Sequence, residues 1–146
     1  MFKHSTPATW HVLILGIVCG LAFFANLGGI PFYDKGEPRE ALVVRDIVLN
    51  GNWIFPLKLG QQIPSKPPLF HWVGASASLL WGQMTEATVR FPSAFFASLG
   101  VFLVFYLGRK LYDPLTGLFG GLILATFVVY QAAAVEARVD MTLTFW

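Results

Sequence analysis

Three stretches of this sequence contain no charged residue: 10–30, 91–108 and 114–135, of 21, 18 and 22 residues. Each is close to the ~20 residues with which a helix crosses a hydrocarbon core of about 30 Å. A fourth apolar run begins at Met141 and reaches Trp146. A helix that stopped in mid-membrane would leave its last carbonyls unsatisfied, so the chain is expected to be the start of a longer protein. The balance of residue types agrees with a membrane setting. Some 12% of residues are charged, against about a quarter in a soluble domain. The first block is longer than the hydrophobic region of a signal peptide, and no small-residue cleavage site closes it, so a retained span is expected.

The net charge of +2, with basic residues scattered singly, excludes a nucleic-acid partner. Cys19 is the only cysteine. It can form no internal disulfide, and in its apolar block it acts as a small hydrophobe.

Residues 31–90 form a connection too long for a simple turn, and they hold most of the charge. A helix is predicted over 38–50, with Glu37 as N-cap, Pro38 at the first helical position and Gly51 just past its end. On a wheel, Arg39, Asp46 and Asn50 form a narrow polar stripe. Ala41, Val43, Val44, Ile47 and Val48 cover the other side, as in a helix lying in the membrane interface or packed on spans. A turn is expected at Gly60. Residues 69–81 are apolar but too few to span, which suits a juxtamembrane or re-entrant helix. Trp53, Trp72, Trp81 and Tyr33 fit an aromatic belt at headgroup depth. Lys3 and Arg109-Lys110 fall on one side of the membrane, cytoplasmic by the positive-inside rule. The long connection then faces the periplasm or exterior.

Three polar groups flank these spans. Tyr33-Asp34-Lys35-Gly36-Glu37 places two acids three apart just after the first block. A helix N-terminus favours the charge of Glu37. An ordinary solvated loop with a capping Glu accounts for the same spacing. In Lys66-Pro67-Pro68 the prolines hold Lys66 extended, so that its ammonium suits a lipid phosphate; a lysine snorkelling to the interface is the plainer alternative. Glu136-Ala137-Arg138-Val139-Asp140 returns to the same side, as a site or as a polar turn. The convergence of all three on one membrane face favours function.

These residues also carry a family resemblance. Asp34-Lys35-Gly36-Glu37-Pro38-Arg39-Glu40-Ala41, Gly51-Asn52-Trp53-Ile54-Phe55-Pro56, Lys66-Pro67-Pro68-Leu69-Phe70-His71-Trp72, Val89-Arg90-Phe91-Pro92-Ser93-Ala94 and Arg138-Val139-Asp140-Met141 occur in this order. From Pro31 onward the chain resembles the start of a C-type membrane glycosyltransferase, in the branch of the protein O-mannosyltransferases and the lipid A aminoarabinose transferase.

The resemblance implies an all-α membrane protein with polytopic transmembrane helices and two juxtamembrane helices in its first extracytoplasmic loop. Residues 1–146 would be the amino-terminal part of one such domain, in a bacterial inner membrane. The implied donor is a sugar on polyprenyl phosphate, and the acceptor a protein, lipid or glycan hydroxyl. The implied catalytic acid is Glu37 or Asp34, because Gly36 stands where the family often has Asp. Lys66 falls on the family's Lys-Pro-Pro lysine and Asp140 on a later loop Asp. His71 replaces the usual aromatic residue.

A polyprenyl phosphate is a good leaving group. The site must therefore neutralise the phosphate, through Lys66 and Arg90, and take a proton from the acceptor hydroxyl with a carboxylate. Direct displacement would invert the anomeric centre. A divalent cation takes hard oxygen ligands, which Glu37, Asp34 and Asp140 could supply. The rival reading is a non-catalytic transporter segment, an assembly subunit or an inactive fragment. Transporters, however, place ionisable residues inside their spans, whereas here the acids lie at the ends.

Overall fold

A computed structural model of the protein describes residues 8–33, 36–59 and 61–146; Lys3, Asp34 and the turn expected at Gly60 lie outside them. The described residues form helices, with one isolated antiparallel bridge between Lys58 and Gln62. Helix α1, Ala8–Cys19, continues as a π-helical turn, Gly20–Phe24. Then follow α2, Glu37–Asn50; α3, Leu69–Trp81; α4, Glu86–Leu111; α5, Pro114–Thr126; α6, Val128–Val135; and α7, Val139–Phe145.

The two helices expected in the long connection are present. α3 has the expected bounds, and α2 starts one residue earlier, with Gly36 rather than Glu37 as its N-cap. Gly51 closes α2 in the left-handed conformation (φ 69°), its N–H bonded to the Ile47 carbonyl. The polar stripe on α2 needs correction. Arg39 and Asn50 are exposed, but Asp46 is buried. Its carboxylate accepts from Asn50 Nδ2, Asn52 Nδ2 and the Leu57 N–H at 2.7–3.0 Å, which ties the following loop to the helix. Burial alone would raise the Asp46 pKa, but these bonds hold it below its ordinary value.

The apolar blocks fold less simply than their lengths suggest. Helical structure in the first ends at Phe24, six residues before Ile30. Gly28-Gly29 and Pro31 disfavour continuation, and the Leu27 and Ile30 carbonyls bond to Arg90 instead. The second block extends in both directions. Thr85 caps α4 in a reciprocal box with Thr88, and the helix runs 26 residues, or about 39 Å. The third block breaks at Phe127 into α5 and α6, bent by 64°. No Gly or Pro marks this break. The Thr126 hydroxyl bonds back to the Leu122 carbonyl at 2.8 Å, a contact that bends helices. Beyond the break, Tyr130 reaches the Ala97 carbonyl of α4 at 2.8 Å. Among the described residues α4 alone is long and apolar enough to cross a membrane, with a second crossing if α5 and α6 act as one span.

α4 is the hub. α1, α5, α6 and α7 surround its later part around Leu15, Phe23, Ala97, Val101 and Ala134. Its first turns join α2 and α3 in a second core containing Val44, Ile47, Phe70 and Val89. Gly108 and Gly117 bring α4 and α5 into backbone contact: a Cβ on Gly117 would sit 2.5 Å from the Phe105 carbonyl oxygen. Small residues at such crossings suit membrane helices. Trp10, Ile17, Leu21, Leu103, Phe119, Ile123 and Val129 face outward. This apolar exterior is what a lipid environment accommodates.

Candidate functional site

The start of α2, the start of α4 and the turn between α6 and α7 meet around one buried ion pair. Arg90 Nε donates to Glu37 Oε1 at 2.8 Å and Nη2 to Oε2 at 3.0 Å. Nη1 donates to the Leu27 and Ile30 carbonyls at 3.0 and 2.7 Å, and Nη2 also to that of Pro31 at 3.4 Å. All five guanidinium N–H groups therefore have acceptors. The cation also lies 5.2 Å from the Phe32 ring centre. Glu37 is 0% exposed, and its Oε1 additionally accepts the Ala137 N–H at 2.9 Å. Burial would push this carboxyl up, but the bonds from Arg90 and Ala137 outweigh it and hold the pKa below the usual value. The first helical position lets Glu37 reach across to α4 instead of capping its own helix. The pair fastens the end of the first apolar block, α2, α4 and the 136–138 turn together.

Next to this pair lies an open cleft of about 260 Å³ lined by Gly36, Glu40, Lys66, Ala137, Arg138 and Asp140. Lys66, held just before α3, faces Asp140 of the first turn of α7, with Nζ 3.7 Å from Oδ1. Both side chains are about half exposed, at 43% and 57%, so the contact is open to a ligand. The 136–138 turn is fixed from two sides. The Ser93 hydroxyl of α4 donates to the Arg138 carbonyl at 3.0 Å and accepts the Arg138 N–H at 3.3 Å. Glu136 accepts from the Tyr33 phenol at 2.9 Å and pairs with Arg138 Nε at 2.7 Å. The Glu136 carboxylate raises the Tyr33 pKa.

The structure thus brings Lys66 and Asp140 together at the cleft. Glu37 and Arg90 meet each other in the interior behind them, and Asp34 lies outside the described residues. Arg90 has no N–H left for a phosphate. Among the described residues, no three Asp, Glu, His or Cys side chains converge to hold a metal ion.

One cleft residue, Glu40, has no site role in the sequence reading, and its partner His71 is read there only as a replacement for an aromatic residue. Glu40 lines the cleft, and its Oε2 lies 2.7 Å from Nε2 of His71 on α3. The imidazole is fully buried, edge-on to Phe70. One signal was available: Glu40 follows Glu37 by three residues and precedes Val44 by four, so all three share one face of α2, and Glu37 and Val44 are buried.

Residues 65–146 match the sequence profile of the dolichyl-phosphate-mannose-protein mannosyltransferase family. The chain is 32% identical over 135 residues to undecaprenyl phosphate-alpha-4-amino-4-deoxy-L-arabinose arabinosyl transferase 2 of Pseudomonas fluorescens, covering 92% of this chain and 24% of that protein. The corresponding transferase of Pseudomonas aeruginosa is 30% identical over 143 residues, covering 97% and 26%. That of Pectobacterium atrosepticum is 27% identical over 134 residues, covering 91% and 24%. The chain spans about a quarter of the length of these curated relatives. No solved structure matches it significantly.

Proposed function

This chain belongs to the dolichyl-phosphate-mannose-protein mannosyltransferase family, and from that premise we propose that the protein transfers a sugar from a polyprenyl-phosphate carrier to a hydroxyl acceptor. The observation that carries the reading is the cleft, where Lys66 faces Asp140 at 3.7 Å. An ammonium and a carboxylate, both accessible at the ends of apolar helices, suit a lipid phosphate on one side and a hydroxyl on the other.

In this mechanism the acceptor oxygen attacks the anomeric carbon from the face opposite the phosphate, and its proton passes to a carboxylate of the cleft. The carbon–oxygen bond to the phosphate breaks, and its electron pair stays on the leaving polyprenyl phosphate. Lys66 stabilises that charge as it builds. Displacement in line inverts the anomeric configuration. Asp140 borders the same space and positions the acceptor. Glu37 and Arg90 act by holding the cleft's walls, because each is saturated by the other and by backbone groups. The relatives are by name undecaprenyl phosphate-alpha-4-amino-4-deoxy-L-arabinose arabinosyl transferases, which makes that donor the first to assay, beside polyprenyl-phosphate mannose.

We place the chain as part of a polytopic protein of a bacterial inner membrane, with residues 31–90 and the cleft on the outer side. The transporter reading is less well supported: the accessible charges of the cleft lie at helix ends, and the buried pair near the start of α4 is closed to a substrate.

The test is the Lys66→Ala variant of the full-length protein. It should raise the donor KM by about tenfold or more, equivalent to about 1.4 kcal/mol or more, and leave the acceptor KM nearly unchanged. Lys66→Arg should retain part of the activity. An unchanged donor KM in Lys66→Ala would make Lys66 an interfacial anchor only.

A further inference from the structure

The Glu40–His71 contact is not explained by fold stability alone. A histidine buried to 0% exposure on an apolar face carries a desolvation cost that hydrogen bonds must offset. Here one nitrogen, Nε2, meets Glu40 Oε2 at 2.7 Å, and the other, Nδ1, is buried with no partner. A carboxylate only accepts hydrogen bonds, so Nε2 carries the proton. Half-satisfied polar groups in a protein interior are uncommon. An apolar side chain at position 71 would fill the space at lower cost. The carboxylate that His71 grips is also the one acid of α2 that lines the cleft, with its side chain 14% exposed.

We propose that Glu40 is the general base of the transfer reaction and that His71 is its positioning residue. This deepens the proposed function and rests on it. Glu40 stands on the cleft wall with Lys66 and Asp140, while Glu37 is turned into the interior by Arg90. With Oε2 fixed by the imidazole, the carboxylate has one orientation, and Oε1 is left for the acceptor hydroxyl. As the acceptor oxygen bonds to the anomeric carbon, its proton passes to Glu40. The carbon–phosphate oxygen bond breaks, and polyprenyl phosphate departs with the electron pair beside Lys66. The proton on Glu40 then leaves to solvent through the open cleft. His71 contributes one rigid N–H bond, which orients the carboxylate in the cleft wall.

The test uses the full-length protein and whichever polyprenyl-phosphate sugar the wild type turns over. Glu40→Gln keeps a group that can accept from His71 but cannot take a proton. It should reduce kcat by about 10²–10⁴-fold, the usual range for a general base, with donor KM and thermal unfolding near wild type. His71→Phe should lower kcat by about tenfold with donor KM near wild type, because the carboxylate loses the donor that orients it. His71→Gln, which restores an N–H, should recover part of the lost kcat.

The charged groups around the pair are Glu37 and Arg90 behind it and Lys66, Arg138 and Asp140 in the cleft. Wild-type kcat in Glu40→Gln would overturn the proposal. So would a His71→Phe variant whose kcat is unchanged, or whose kcat loss is not recovered in part by His71→Gln. If Glu40→Gln fails to fold, Glu40→Asp and Glu40→Ala decide: the shorter carboxylate should retain more kcat than the alanine, and equal rates would contradict the proposal. Turnover by Glu40→Gln alongside loss of donor use in Lys66→Ala would sink this inference alone. Loss of neither would sink the proposed function with it.

Discussion

At the scale of single residues, the sequence located the charged groups but not their partners. Lys66 and Asp140 could be picked out because each sits in a short motif at the edge of an apolar block, and both line the cleft. Arg90 looked like a span boundary that could serve a phosphate. Its burial against Glu37 is a tertiary fact, set by α2 folding back on α4, and no local pattern states it. Glu40 and His71 were equally hidden, since their pairing joins two helices. The buried pair gives a direct prediction. Removing one member of a buried, hydrogen-bonded ion pair costs about 3–5 kcal/mol. Arg90→Leu and Glu37→Gln should each lower the unfolding temperature of the detergent-solubilised protein clearly, Arg90→Leu the more so because it strands a carboxylate. The sign with pH follows from the depressed Glu37 pKa. Its contribution to stability is fully present above the unfolded-state carboxylate pKa and is lost as pH falls through the lower folded value. In Glu37→Gln that part of the acid destabilisation should vanish. An unchanged acid profile would show that the pair does not hold the fold.

At the scale of elements, local signals worked where they were strong. α2 and α3 were legible from Pro38, Gly51 and the length of the 69–81 run, and α5 begins as expected where Asp113 accepts the Leu115 and Thr116 N–H groups. Hydropathy could not reveal the end of helical structure at Phe24 or the break at Phe127. Both depend on contacts across the bundle: the Leu27 and Ile30 carbonyls meeting Arg90, and Tyr130 meeting α4. The α4–α5 crossing yields a prediction at this scale. Gly117→Val would drive carbon into the Phe105 carbonyl and the Arg109 N–H, at 2.5 and 2.8 Å for the Cβ alone. Overpacking of this kind costs about 1–3 kcal/mol. Thermal unfolding should show that loss, whereas Gly16→Ala, whose Cβ would meet nothing within 4 Å, should be silent. Equal effects would contradict close backbone packing between the two helices.

At the scale of the whole molecule, the fold gathers three sequence-distant segments at the head of α4 and leaves an apolar exterior along the rest of it. The all-helical class and membrane setting were legible because long charge-free blocks admit few alternatives. The number of crossings was not, because among the described residues only α4 combines the required length with continuous helix. The proposed outward placement of residues 31–90 predicts that a cysteine at the exposed Phe55 or Gln61, in a Cys19→Ala background, reacts with an impermeant maleimide added outside the inner membrane. Labelling only after the cytoplasm is opened would reverse the orientation. The central claim is that the protein moves a sugar off a polyprenyl phosphate, and its most direct measurement is product release. Full-length protein should be incubated with undecaprenyl phosphate-linked aminoarabinose and with polyprenyl-phosphate mannose, in the presence of native envelope lipid and protein acceptors. The account predicts release of free polyprenyl phosphate from one of these donors, at a rate that Asp140→Asn and Lys66→Ala depress about tenfold or more. No release from either donor, or release at the same rate in both variants, would contradict it.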